Sequence, residues 1–442
     1  CMSCIYLYPM WAFVLPVLSL KAMREPQNVE LANVKSAFFV YAFVKKIYRI
    51  LSLFSGCGGL DLGFLGGFET LGRKYKRLPT QIIFANDFDT DAATCYNSNP
   101  LLISGGDKCL QADIRDISNA DIPNFDILLA GFPCQPFSNA GNRKGVNDHN
   151  GRGTLFEECE RIIRSKVESG HKPTAFVFEN VRGILSSKMP DGKTTVPQEI
   201  QNRMSELGYD VSIQLVCAAD YGVPQMRYRV LIVGIDNTLD KHFDFATMQD
   251  VVQRNHIPSL SYGKSEELRI GAIFQNISLL PNEGIWEYSK STQQMIEKIG
   301  ACLHGDDAIH WFHKGYDLEE LPPIAFTGKS WKDIPPQDLT PRFKKIYDDP
   351  KRYHAPKFFR RFAYGEINGT ITASAQPENC GITHPVENRR YSVREIARIQ
   401  SFPDDFHFES IPLQSRYKVI GNAVPPVLGW VVATALIETL NY

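Results

Sequence analysis

The sequence predicts an α/β protein built on a mostly parallel β-sheet, with a second and smaller domain. The main observation is a series of short apolar runs, bounded by turn residues and separated by stretches of helical character. They are RILSLF (49–54), IIFAND (82–87), FDILLAG (125–131), TAFVFEN (174–180), VSIQLV (211–216) and RVLIVG (229–234). This alternation is typical of a parallel sheet that helices cover on both faces. Polar groups at the strand ends then line the functional site.

The same alternation of strands and helices indicates where the domains begin and end. It begins at about residue 48 and is lost after 234, where prolines are scattered and no strand–helix repeat is visible. It returns with the helical segment of 386–442, whose last apolar stretch is too short to span a bilayer and is expected to be a buried helix. We therefore predict a main domain formed by 48–234 and 386–442, and a second domain formed by 235–385.

Residues 1–47 are interpreted as an N-terminal extension. Residues 1–20 are uncharged, but Pro9 and Pro16 interrupt them and no basic residue precedes them, which is unlike a signal peptide or a spanning helix. We expect residues 1–22 to be an unstructured or non-native extension upstream of a start such as Met23, with a membrane anchor as the alternative.

Composition excludes several classes of protein. Of the 442 residues, 43% are hydrophobic, which excludes wholesale disorder. The 48 basic and 49 acidic residues give a net charge of −1, which argues against a uniformly basic surface but leaves room for a local basic patch. Ten cysteines are too few for a disulfide scaffold, so we expect reduced thiols.

A glycine-rich turn, FSGCGGL (54–60), follows the first predicted strand. Glycines there let the backbone approach a ligand closely. Asp87 ends the next strand, where an acid would bind a ribose hydroxyl, and Asp113 could reach an adenine amino group. These features favour an adenosine site over a plain tight turn. Position 61 is Asp instead of the third glycine of a dinucleotide fingerprint, which counts against a nicotinamide oxidoreductase.

Three further features lie at strand ends. Cys134 stands between prolines, ahead of a Gly- and Asn-rich loop (139–153), a setting that suits a nucleophile beside a mobile basic segment. Glu179 ends an apolar strand, where its carboxylate would be partly desolvated; a helix N-cap or a structural acid is the alternative. Arg227 and Arg229, two residues apart, are expected on one strand face, with a solvated strand edge as the alternative.

These motifs together resemble those of the DNA (cytosine-5) methyltransferases. The resemblance covers about 50–234 and 366–442 and rests on FSGCGGLDLGF, GFPCQPFS, ENVRG, QMRYR, REIARIQSFPDDF and YKVIGNAVPP, in that order. It implies a Rossmann-like, S-adenosylmethionine-dependent methyltransferase domain (48–234 with 386–442) and a target-recognition domain (235–385). It also implies double-stranded DNA as the partner.

The resemblance implies a role for each catalytic residue. Cys134 would add to C6 of cytosine, Glu179 would hydrogen-bond N3 and the exocyclic amine, and Arg229 would hold the O2 edge. Arg227 would support the site and a nearby phosphate, and Asn180 would order the Cys134 loop. The residues implied to bind S-adenosylmethionine are Phe54, Gly56, Gly58, Gly59, Leu60, Asp87, Phe88, Asp113, Ile114 and Asn422.

DNA contacts are predicted in two segments. The first is the loop 139–153, with Arg143, Lys144 and Arg152, because the target base must be flipped out of the duplex. The second is a basic stretch with interleaved aromatic residues, expected to follow phosphates: Arg342, Lys344, Lys345, Lys351, Arg352, Lys357, Arg360 and Arg361. No metal is expected, because the spacing of His304, His310 and His313 matches no structural zinc site.

The favoured interpretation is the modification enzyme of a bacterial restriction system, a cytoplasmic, nucleoid-associated monomer with no membrane role and with a cognate restriction endonuclease as a second partner. A tRNA cytosine-5 methyltransferase shares the Cys and Glu motifs, but the long basic-aromatic region favours duplex DNA. A catalytically idle DNA-binding protein is the alternative from another class, and the intact Cys134, Glu179 and Arg229 argue against it.

Overall fold

The central sheet has seven strands. The computed structural model describes residues 46–103, 108–133, 155–189, 191–302, 328–349, 359–378 and 380–441. Its described strands are β1 (Tyr48–Leu53), β2 (Phe68–Thr70), β3 (Arg73–Tyr75), β4 (Thr80–Asp87), β5 (Cys109–Gln111), β6 (Ile127–Ala130), β7 (Ala175–Val181), β8 (Tyr209–Cys217), β9 (Gln225–Met226), β10 (Tyr228–Asp236) and β11 (Asn368–Gly369). The sheet order is β5-β4-β1-β6-β7-β10-β8. β10 pairs antiparallel with β7 and β8, and the other described strand pairs of this sheet are parallel, so the predicted mostly parallel sheet is confirmed.

Helices cover both faces of this sheet. The described α-helices are α1 (Gly59–Leu65), α2 (Thr90–Asn97), α3 (Pro100–Ile103), α4 (Leu155–Glu168), α5 (Val196–Glu206), α6 (Ala246–Arg254), α7 (Ile270–Ile273), α8 (Lys290–Ile299), α9 (Pro341–Tyr347), α10 (Val393–Ile399), α11 (Leu413–Asn422) and α12 (Pro426–Asn441). Two large apolar clusters, one on each face, bury the sheet. The fold is therefore the predicted three-layer α/β arrangement.

The C-terminal segment returns to the start of the sheet. Gly63 of α1 and Gly429 of α12 lie so close that a Cβ on Gly63 would be 2.6 Å from the Gly429 backbone. Because α12 is apolar all round, it is buried in the main core over Pro426–Ile437. Leu413–Asn441 has the length and composition to cross a membrane, but 94% of its apolar window is buried inside the protein, as in a core helix.

A third, smaller core lies apart from the sheet. It is formed by Met295, Ile296, Ile299, Trp331, Ile334, Phe343 and Phe359. By contrast, Ile257, Ile270 and Ile371, which also belong to the predicted second domain, pack in the main core. The separate core thus comes from the middle of 235–385. The division at 235 and 385 stays a prediction, and residues 1–45 lie outside the described part of the chain.

Candidate active site

Glu179 and Arg229 form an ion pair at one edge of the sheet. Glu179 lies near the end of β7 and Arg229 near the start of β10, and the antiparallel register sets Arg229 opposite Val181. Arg229 Nε lies 2.6 Å from Glu179 Oε1, and both side chains are about nine-tenths buried. The sequence prediction placed both residues at strand ends, and the structure brings them together.

The segment that leads to Cys134 lies against this pair. A Cβ on Gly131 would be 3.6 Å from Glu179 Oε2. Asn180 donates from Nδ2 to the Phe132 carbonyl oxygen at 3.1 Å, and its Oδ1 accepts from the Val181 amide at 2.9 Å. Asn180 therefore fixes the backbone two residues before Cys134. Cys134 itself, with Arg143, Lys144 and Arg152, lies outside the described residues, and its role stays a prediction.

The described cysteines are free, buried thiols: Cys57, Cys95, Cys109, Cys159, Cys217, Cys302 and Cys380. Burial raises the pKa of Cys109, Cys159 and Cys217 above the ordinary thiol value. A raised pKa reduces the thiolate fraction, so these three side chains are structural thiols without the activation that a nucleophile needs.

Arg227 is shielded from solvent, so its predicted contact with phosphate is wrong. Its side chain is fully buried, and it donates to the carbonyl oxygens of Ile371, Gly421 and Ala423 at 2.9, 3.0 and 3.1 Å. Burial is the main cause that lowers its pKa well below the ordinary arginine value. Arg227 thus joins the start of β10 to the C-terminal segment on both sides of Asn422.

The glycine turn contains two kinds of glycine. Gly56 has φ +58°, and a Cβ placed on it would meet no atom within 4 Å, so open space lies over its backbone. By contrast, a Cβ on Gly58 would be 2.4 Å from a Leu102 methyl group, and one on Gly59 would be 2.3 Å from the Val424 carbonyl oxygen. Packing accounts for Gly58 and Gly59, and Leu60 is likewise buried. Gly56 is the turn glycine that an incoming ligand can approach.

Acidic and aromatic groups surround Gly56 at the strand ends. The Gly56 amide donates to Asp87 Oδ2 at 2.7 Å, and burial raises the Asp87 pKa. Phe88, the next residue, exposes 70% of its surface. Asn422, at the end of α11, is also exposed and lies two residues before Val424, which packs on the turn. An open backbone, a carboxylate and an exposed ring fit an adenosine-containing ligand such as S-adenosylmethionine.

The other predicted cofactor residues are less available. Asp113 accepts from the amide and from Nε of Arg115 at 3.0 and 2.9 Å, and this side-chain hydrogen bond lowers the Asp113 pKa. Ile114 is buried. Phe54 is partly buried and has a left-handed backbone, with φ +56°. Ligand contact by these three residues stays a prediction.

The basic-aromatic stretch is split between surface and interior. Arg342 and Lys345 are exposed on α9, and Lys344 pairs with Asp348. Lys351, Arg352 and Lys357, like the histidines His304, His310 and His313, lie outside the described residues.

The predicted phosphate contact of Arg361 is wrong. Its side chain is fully buried and donates to Asn388 Oδ1 at 2.7 Å and to the carbonyl oxygens of Pro385 and Glu387 at 3.4 and 3.3 Å. Arg360 is only partly exposed and pairs with Glu366.

One buried network, formed by Asp61, Ser52 and Tyr96, was not predicted from the sequence. Asp61 accepts hydrogen bonds from the other two side chains beneath the glycine turn. The signal in the sequence was an acid inside the otherwise apolar helix GLDLGFL.

The fold and site define a Rossmann-like, nucleoside-binding enzyme, because the open glycine turn and the carboxylates lie at the ends of parallel strands. Comparison with known proteins gives the family. The family model for the C-5 cytosine-specific DNA methylases matches residues 48–438. The chain belongs to this family.

The similarity extends over most of the chain. It is 34% identical over 385 residues to the Type II methyltransferase M.NgoFVII of Neisseria gonorrhoeae, covering 86% of this chain and 83% of the relative. It is 31% identical to M.HaeII of Haemophilus aegyptius, covering 90% and 95%. The solved structure of S. pombe Dnmt2 shares the fold, with a TM-score of 0.53, 16% identity and coverage of 89% and 100%.

Membership of this family confirms the enzyme class that the motifs predict. The protein is a DNA (cytosine-5) methyltransferase; its substrate is DNA and its methyl donor is S-adenosylmethionine. The tRNA-methylating and idle DNA-binding alternatives are not favoured.

Proposed function

We propose that the protein methylates C5 of cytosine within one specific duplex sequence, by way of a covalent Cys134 adduct and base flipping. The observation that carries this proposal is the buried Glu179–Arg229 pair, which lies against the segment leading to Cys134. An acid and a guanidinium held at one edge of the sheet are suited to bind the polar edge of a single base.

Nucleophilic attack on cytosine is difficult because negative charge builds up on the ring. In our proposal the Cys134 thiolate adds to C6, while Glu179 holds N3 and the 4-amino group and Arg229 holds O2, so the charge is stabilised where it develops. S-adenosylmethionine would supply the electrophilic methyl carbon that C5 takes up, and S-adenosylhomocysteine would be the leaving group. Transfer of the C5 proton to water and expulsion of the Cys134 thiolate would then restore the aromatic ring and free the enzyme.

Groups at the glycine turn would hold the methyl donor. The Gly56 backbone would approach it closely, Asp87 would bind the ribose, and Phe88 would stack on the adenine. Asn422 would reach the methionine end. Arg227 would not contact the methyl donor. Its hydrogen bonds would instead hold the backbone on both sides of Asn422.

Sequence selection would come from the region 235–385. Its separate apolar core carries α9, where Arg342 and Lys345 face solvent and can follow a phosphate backbone. Moving the target cytosine out of the stack costs a few kcal/mol. Contacts of this region with the flanking duplex would offset that cost.

We further propose that the enzyme works as a monomer in the bacterial cytoplasm, associated with the nucleoid through its DNA contacts, alongside an endonuclease for the same site. The bacterial Type II methyltransferases among its relatives support this context. Within the described residues, the long apolar run Leu413–Asn441 is buried inside the protein, which supports a soluble enzyme.

Bisulfite sequencing of DNA from cells that express the protein tests the specificity. We expect 5-methylcytosine at one position of one recurring sequence. Methylation scattered without sequence context would contradict the proposed specificity. Parallel assays with labelled methyl donor on duplex DNA and on tRNA should label the DNA alone, and labelled tRNA would contradict the choice of substrate.

A further inference from the structure

Asp61 is a fully buried carboxylate whose described partners are two hydroxyl groups. It lies in the first turn of α1. Its Oδ1 accepts from Ser52 Oγ on β1 at 2.6 Å, and its Oδ2 accepts from Tyr96 Oη on α2 at 2.9 Å. The carboxylate therefore ties together the strand, the helix after the glycine turn, and the next helix along the chain.

Both hydroxyl partners of Asp61 also contact the glycine turn. Ser52 Oγ lies 2.8 Å from Ser55 Oγ, and Ser55 directly precedes Gly56. On the other side, the Tyr96 ring packs so closely behind Gly58 that a Cβ there would be 2.9 Å from it. Asp61 is thus bonded to the two side chains that hold the turn at either end. Between these ends, the Gly56 amide points at Asp87.

The buried charge of Asp61 does not stabilise the folded protein. Within the described residues no lysine, arginine or histidine forms an ion pair with Asp61, and the other titratable groups that face it are Asp87, Tyr96 and Cys109. Burial raises the Asp61 pKa to about 6. Because the pKa in the folded state exceeds the ordinary value, folding favours the protonated acid. Raising the pH from about 4 through 6 therefore reduces the contribution of Asp61 to stability.

We propose that Asp61 is a positioning residue for S-adenosylmethionine, which fixes the glycine turn through Ser52 and Tyr96 so that the Gly56 backbone and Asp87 face the ligand. This inference rests on the proposed location of the cofactor site. The two hydroxyl groups bond different oxygens of the carboxylate, whereas in an asparagine one of these two positions is an NH₂ group, which cannot accept a hydrogen bond. The charge thus costs stability and is retained for the geometry of the turn.

Calorimetric titration of purified Asp61→Asn protein with S-adenosylmethionine and with S-adenosylhomocysteine tests the proposal. We expect the Kd of each to rise about tenfold or more, the size of effect of one charge-assisted hydrogen bond. The melting temperature at pH 7 should stay equal or rise. Turnover should show a higher KM for S-adenosylmethionine with little change in kcat.

Asp236→Asn is the matched control. Asp236 caps a short helix and pairs with Lys172 at the far end of β10, so its loss should lower the melting temperature without changing the Kd. Ser52→Ala and Tyr96→Phe, which each remove one donor, should weaken binding less than Asp61→Asn does. Ser52→Ala should add little to Asp61→Asn, because both act through one network.

Two outcomes would overturn the proposal. One is a Kd of Asp61→Asn within twofold of the wild type. The other is a parallel fall of melting temperature and affinity, since Asp61 would then support the fold instead of the turn. Wild-type protein that binds neither ligand would instead contradict the cofactor site on which the inference rests.

Discussion

Arg229 Nε and Glu179 Oε1 lie 2.6 Å apart across two antiparallel strands, with about a tenth of each side chain exposed. A carboxylate held in this way has one oxygen fixed by the guanidinium, and the other lies near Gly131 on the way to Cys134. The pair is therefore preorganised: neither group has to find its orientation when a base arrives.

Glu179→Gln should slow methyl transfer by about 100-fold or more, because an amide cannot replace the acid at N3 while charge develops on the ring. The Kd for S-adenosylmethionine should not change. Single-turnover rates and calorimetry measure the two effects. Glu199→Gln, the same substitution on the surface of α5, is the control and should leave both unchanged. A Glu179→Gln rate near that of the wild type would reject the assigned role.

Arg227→Met should lower the free energy of unfolding by about 3 kcal/mol or more, because three buried carbonyl groups lose a charged donor. Urea denaturation measures this change. Arg254→Met removes an exposed ion pair with Glu438 and should cost no more than about 1 kcal/mol. Equal losses in the two variants would show that Arg227 is not the buried link described above.

Lys345→Ala should change DNA binding but not stability, whereas Arg361→Ala should change stability but not the salt dependence of DNA binding. Lys345 is exposed on α9, so its loss should reduce the slope of log K for DNA binding against log salt by about 1, with stability unchanged. Arg361 is buried, so its loss should lower stability. The protein that remains folded should bind DNA with the same slope of log K against log salt as the wild type. Fluorescence anisotropy at several salt concentrations separates the two. An unchanged slope for Lys345→Ala would remove α9 from the DNA interface.

Much of the fold and part of the site could be predicted because their signals are local. Apolar runs that end in polar residues identify strands, and the end of a strand places Glu179 and Asp87 at the edge of the sheet. Arg361 could not be placed in this way. A run of basic residues indicates charge but not direction, and the partners of Arg361 are carbonyl groups 24 and 26 residues further along the chain.

Contacts across the whole chain were the least predictable. Position 59 must be glycine because the Val424 carbonyl oxygen lies against it. Arg227 is buried because it donates to carbonyl groups on both sides of residue 422, nearly 200 residues further along the chain. Spacing two residues apart suggested one face for Arg227 and Arg229. In the structure both are buried on either side of the exposed Tyr228, but Arg227 donates to the C-terminal segment whereas Arg229 pairs with Glu179.

The central claim is that Cys134 forms a covalent bond to C6 of a flipped cytosine. Duplex DNA that carries 5-fluorocytosine at the methylated position tests it most directly, because fluorine at C5 blocks the elimination that would release the thiol. With S-adenosylmethionine present, we expect a denaturation-resistant protein–DNA complex, and peptide mapping should place the bond at Cys134. Cys134→Ser should bind the same DNA but form no such complex. A complex that persists in Cys134→Ser, or none with the wild-type enzyme on DNA that it methylates, would contradict the account.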